Sequence, residues 1–125
     1  MGYDDFRDMP VWQNSFKLVI RVYEETRTFP DEEKYGMVSD MWRAANYITH
    51  NIAEGFGRFE SRDKTRFYKI SRGSVFELMS QILVAAELGY LDKRMQSEEL
   101  LKLCKSIIAE LNALIISLEN KGKNT

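Results

Sequence analysis

Hydrophobic residues recur along this 125-residue chain at helical spacing, in four blocks separated by short polar or glycine-bearing segments. The first block predicts a helix over about residues 9–29. Asp8 stands as its N-cap, Pro10 fits the first turn, where its missing N–H is not needed, and Pro30 stops it. With one turn every 3.6 residues or so, Trp12, Phe16, Val19, Ile20, Tyr23 and Thr26 share one side. Val11, Leu18, Val22 and Phe29 widen that side to an arc of about 200°, twice the stripe of a simple amphipathic helix. Gln13, Asn14, Lys17, Arg21, Glu24 and Glu25 fill the rest. One core contact does not use so wide an arc, so this helix is expected to meet a second partner surface.

After "DEEKYG", a short acidic linker or a single helical turn, a second helix is expected over about residues 37–54, with Val38, Met41, Trp42, Ala45, Ile48, Ile52 and Ala53 inward. Gly55 stands where a left-handed C-terminal residue is expected, and Gly57 allows a second change of direction. Ser61 can cap a third helix over about 61–88, whose inner side reads Phe67, Ser71, Ser74, Val75, Leu78, Ile82, Ala85 and Ala86, and Gly89 ends it. Asp92 caps a fourth over about 93–120. There Leu100, Cys104, Ile107, Leu111, Leu114 and Leu118 alternate at spacings of four and three, with Leu101, Ile108 and Ile115 as an adjacent row. That is the three-in-seven face of a bundle helix. Short connections make neighbours antiparallel, so the expected fold is all-α: an up-down four-helix bundle forming one domain over residues 1–125. The polar tail "NKGKNT" is expected to fray.

Composition narrows the class. Apolar residues are 44% and charged residues 30%, which excludes a disordered chain. Cys104 is alone in an apolar register, so neither a disulfide framework nor a cysteine zinc site is on offer, and a reducing, cytoplasmic setting follows. The start "MGYDDFRDMPVW" lacks the apolar core of a secretory signal. No apolar run approaches the ~20 residues that span a bilayer, so no membrane partner is expected. A formal net charge of −1 predicts no global attraction to polyanions.

Arg43, Tyr47, His50 and Glu54 form one stripe on the second helix. His50 and Glu54 offer an acid–base couple or two metal ligands, or else a solvated pair four residues apart. A ferritin-like metal site needs paired Glu-x-x-His motifs, and the chain has one histidine. Cys104 has no base placed to activate it and reads as a small buried hydrophobe. Neither Gly-x-Ser-x-Gly nor a Walker-type loop occurs, and "GFGR" follows a helix, the wrong context for a dinucleotide fingerprint. The expectation is a protein that is not an enzyme, with no cofactor and no metal.

Charge is uneven, however. Residues 58–72 hold Arg58, Arg62, Lys64, Arg66, Lys69 and Arg72 against Glu60 and Asp63. Arg62, Arg66 and Lys69 share a face turned away from Leu78 and Ile82, with Phe56 and Phe59 at the corner. Such a stripe neutralises phosphates, and the aromatics can stack on unpaired bases. The alternative is a solvated face with ordinary ion pairs. Arg58, Arg62, Arg66, Lys69 and Arg72 are the candidate nucleic-acid-binding residues, for RNA or DNA.

The segments "FRDMPVWQ", "TRTFPDEEKYGMVSD", "RAANYITHNIAEGFGR", "FYKISRGSVFEL" and "AAELGYL" together resemble a bacterial family. Its members are the small four-helix-bundle proteins encoded in intervening sequences of the 23S ribosomal RNA gene, and they include the accessory variability determinant of diversity-generating retroelements. The resemblance implies a homopentameric barrel and, for the retroelement members, nucleic-acid binding and association with a reverse transcriptase. Trp42 stands where a second basic residue commonly precedes Arg43, placing packing where the family has charge. Trp12, Leu18, Val22, Trp42, Arg43, Asn51 and Glu54 are the candidate subunit-interface residues. Asn51 and Glu54 are also candidates to bond neighbouring backbone N–H groups. The leading expectation is an oligomeric RNA-binding bundle. The alternative is a protein–protein scaffold without nucleic-acid affinity of its own.

Overall fold

A computed structural model describes residues 2–123. Four helices carry the fold: α1 (Pro10–Glu25), α2 (Met37–Phe56), α3 (Ser61–Glu87) and α4 (Gln96–Lys123). Each packs on its sequence neighbours, and α1 closes the bundle against α4. Side-chain bonds cross every seam of the bundle. Asn46 Nδ2 reaches Tyr23 Oη at 2.9 Å and Ser71 Oγ reaches the Ile48 carbonyl at 2.9 Å. Arg72 Nη1 meets Asn112 Oδ1 at 2.7 Å, and Arg21 Nη2 meets Glu99 Oε2 at 2.9 Å. The up-down four-helix bundle is the observed fold.

The core is built from the rows that the spacing predicts on α2 and α4, including Met41, Ile48, Ile52, Leu100, Cys104, Ile107 and Leu111. Two buried hydroxyls, on α1 and just beyond it, are satisfied locally. Ser15 and Thr26 donate to the carbonyls of Val11 and Val22, at 2.7 and 2.8 Å, so neither leaves a donor unpaired. On α1 the wide apolar arc divides in two. Val11, Ser15, Leu18 and Val22 are buried in the protomer's own core. Phe16 and Ile20 remain 48% and 44% exposed. Leu18 and Val22 are therefore corrected as interface candidates: with no exposed surface left, they have nothing to offer a second subunit.

Several boundaries differ from expectation. A short 3-10 turn, Phe6–Asp8, absorbs Asp8, and Met9 becomes the residue before α1, extended as a residue preceding proline must be. The α-helical part ends at Glu25, and a 3-10 turn, Thr26–Thr28, leads to Pro30. Phe29, beyond the helix, packs on Tyr90 at 5.3 Å between ring centres. Glu60, not Ser61, occupies the N-cap of α3. Asp92 does cap the turn ahead of α4, its Oδ1 accepting from the Arg94 N–H at 2.7 Å, so the helix starts three residues later than predicted. The expected frayed tail is helical through Lys123, and residues 124–125 lie outside those described.

Two glycines show different reasons for being glycine. Gly89 has φ +83°, and the N–H groups of Gly89 and Tyr90 close on the carbonyls of Ala86 and Ala85 at 3.1 and 2.9 Å. That is the left-handed cap expected for α3. Gly55 is corrected: it lies inside α2 and is buried, not at a left-handed cap. A Cβ there would stand 2.7 Å from Tyr68 Cε1, so the residue is small because α3 passes too close for a side chain.

Candidate nucleic-acid interface

The first turns of α3 and the last turns of α4 lie side by side because the bundle is antiparallel. Between them runs an open groove of about 1310 Å³. Arg62, Arg66 and Lys69 line it together with Ser61, Thr65 and Ile70, while α4 contributes Leu118, Glu119 and Gly122. Three of the five predicted contact residues are thus brought to one surface. Their charge is partly countered by Asp63 and by Glu119, whose Oε2 takes a 2.8 Å bond from Lys69 Nζ. The guanidinium of Arg66 lies 4.9 Å from the Phe67 ring centre, within reach of a cation–π contact.

The other two go elsewhere. Arg72 is corrected: its guanidinium is docked on Asn112 between α3 and α4, where it serves the seam. Arg58 lies in the turn before α3. It pairs with Glu54 at 3.1 Å and covers Phe67 at 4.8 Å, away from the groove. Lys64, counted from sequence with the basic cluster, is a helix cap. Its Nζ donates to the carbonyls of Gly55 and Phe56 at 3.2 and 2.8 Å, and burial draws its pKa down.

On α2, Trp42 stacks on Tyr23 at 4.5 Å and donates from Nε1 to Thr26 Oγ1 at 3.0 Å, joining α1 to α2. Trp12 stacks on Phe16 at 5.2 Å along the open side of α1. Arg43 pairs with Asp40 at 2.8 Å. Asn51 Nδ2 donates to the Tyr47 carbonyl at 2.7 Å, so it bonds its own helix rather than a backbone N–H. The Glu54 carboxylate goes to Arg58 and not to His50, and neither His50 nor Glu54 lines the groove. Cys104 is fully buried, and burial pushes its thiol up to about 12, far from a reactive thiolate.

Sequence reasoning missed Tyr68. Its position among basic residues hides it, yet it is 3% exposed and seated against Gly55. Burial pushes its hydroxyl from 10.0 up to about 12. The folded protein holds that proton more tightly than the unfolded chain, so the stabilisation is complete below pH 10 and is lost as pH rises from 10 to about 12. Urea unfolding across that window should show a loss on the order of 2 kcal/mol. Tyr68→Phe should flatten that part of the decline, and an unchanged profile in the variant would contradict the assignment.

No helix among the described residues is long and apolar enough to cross a membrane. The 23S rRNA-intervening sequence protein family model matches residues 7–113. No curated protein matches the chain.

Proposed function

We propose, because the chain belongs to the 23S rRNA-intervening sequence protein family, that it is a binding protein and not an enzyme, an RNA-binding helical bundle that works as a homo-oligomer. The observation that carries this reading is the convergence of Arg62, Arg66 and Lys69 on one open groove. Three phosphate contacts from single-stranded RNA give a slope of about −2 in log K against log salt, which is weak binding for one protomer. Repetition around an assembly raises it by avidity.

Support for the assembly comes from two unlike apolar faces. Trp12, Phe16, Ile20 and Trp42 lie on the α1–α2 side, while Phe76, Leu83 and Ile116, all more than half exposed, lie on α3 and α4. Copies joined face to opposite face form a ring when the rotation between them closes. Five subunits is the number the family resemblance implies.

The test is a gel-shift titration with single-stranded RNA over a salt series from about 50 to 300 mM. Arg62→Glu combined with Arg66→Glu should weaken binding at least ~10-fold at the low end and reduce the salt slope by about 1.4. Unchanged affinity and slope would remove the groove from consideration. A second reading, a protein–protein scaffold, draws on the Lys69–Glu119 bond and the net charge of −1, both of which reduce attraction to phosphate. Absence of RNA binding at ~50 mM salt by an intact oligomer would favour it.

A further inference from the structure

A second cavity, of about 570 Å³, opens at the end of the bundle, where the segment preceding α1 meets the end of α2, the start of α3 and the end of α4. Leu114 and Leu118 form its apolar floor. Its walls are aromatic: Tyr3, Phe56, Phe59 and Tyr68. Arg58, which is paired with Glu54, and Lys64 supply two cations. The volume falls within the range of small-molecule sites, roughly 300–1,000 Å³.

Three details distinguish this place from a loosely packed helix end. Tyr68 is 3% exposed and lines the cavity, where a ligand atom can accept from its hydroxyl. Lys64 spends two N–H bonds on the carbonyls of Gly55 and Phe56, and an ammonium has three to give. Phe59 is 98% exposed at the mouth, an aromatic face that no described residue covers.

A ligand using all of this has a flat ring to stack, acceptor atoms for Tyr68 and Lys64, and an anionic group for Arg58. An alkyl chain has only the first requirement in part. We infer that the cavity receives one unpaired nucleotide, its base against the aromatic walls and its phosphate toward Arg58. Leu118 is a wall common to the cavity and to the basic groove, so a strand whose phosphates follow Arg62, Arg66 and Lys69 has a base within reach of it. In that respect the inference rests on the RNA reading and deepens it. Phosphate contacts position a strand, and an unstacked base held in a pocket lets the protein prefer single strands to duplex.

The experiment uses the full chain and the four nucleoside 5′-monophosphates at millimolar concentration, with the Tyr68 and Phe59 ring resonances followed by NMR. At least one monophosphate should shift both rings saturably, while ribose 5-phosphate, which has no base, should not. Tyr68→Phe should weaken that binding about threefold, and Phe59→Ala about tenfold, through loss of stacking. Phe59 is exposed, so its variant folds whatever becomes of Tyr68. Rings that stay unmoved by every monophosphate, or that move equally with ribose 5-phosphate, overturn the pocket even if the groove binds RNA. Monophosphate binding by a protein that shifts no RNA would leave the pocket standing and retire the groove.

Discussion

Gly55→Ala should lower stability by about 2 kcal/mol, while Gly57→Ala, two positions on, should leave it unchanged or about 0.5 kcal/mol higher. The contrast separates two glycines that look alike in "GFG". Alanine is the better helix former by about 1 kcal/mol, so propensity alone favours both changes. At Gly55 the new methyl meets Tyr68 Cε1 at 2.7 Å, Tyr68 Cδ1 at 3.1 Å and Phe67 Cβ at 3.2 Å. Tyr68 is 3% exposed, and the Phe67 Cβ moves only with its backbone. Helices α2 and α3 must separate, and overpacking exceeds the propensity gain. At Gly57 the backbone has φ −75°, open to any residue, and the nearest atoms are 3.5 and 3.8 Å away. Thermal melts should place Gly55→Ala about 6–10 °C below the parent. Equal midpoints for the two variants would mean that the helices do not approach so closely.

The second large effect is on assembly. Phe16→Glu together with Ile20→Glu should convert the proposed oligomer to a monomer in light scattering, with helical content retained. The two side chains are half exposed, and the core row of the same helix, Val11, Leu18 and Val22, is untouched. Two carboxylates in an apolar contact leave buried charge without a partner, which associating surfaces do not tolerate. Phe76→Glu with Leu83→Glu should act in the same way from α3. Mixing the two variants discriminates between arrangements. If unlike faces join, each variant alone is monomeric, and the mixture forms a one-to-one heterodimer and nothing larger. If like faces join, each variant alone stays dimeric through its intact face. A parent chain that is monomeric at micromolar concentration would contradict the assembly itself.

Much of the fold could be read along the chain because helical burial is periodic. The seam of α4 from Leu100 to Leu111 is buried at the positions its spacing marks, and α2 begins at Met37 as the pattern predicts. Gly89 ends α3 for a local backbone reason that sequence states directly. The candidate site was legible only as a composition. Six basic residues stand between positions 58 and 72, and nothing in their spacing says that Arg72 turns to Asn112, that Lys64 turns back to the end of α2, or that Arg58 takes Glu54. Long side chains choose partners on other helices, and those partners are known only when the helices are placed.

The sequence by itself determined four helices, their order and the surplus of apolar surface on the first, since each depends on local propensity and on a period of ~3.6 residues. Which half of that surplus is spent inside the protomer was decided by tertiary structure, and it chose Leu18 and Val22 over Phe16 and Ile20. So were the reason for Gly55, the meeting of Arg62, Arg66 and Lys69 with the end of α4, and the cavity around Tyr68. Each of these depends on a distance between residues far apart in the chain, and such distances exist only once antiparallel packing has set the register of one helix against another.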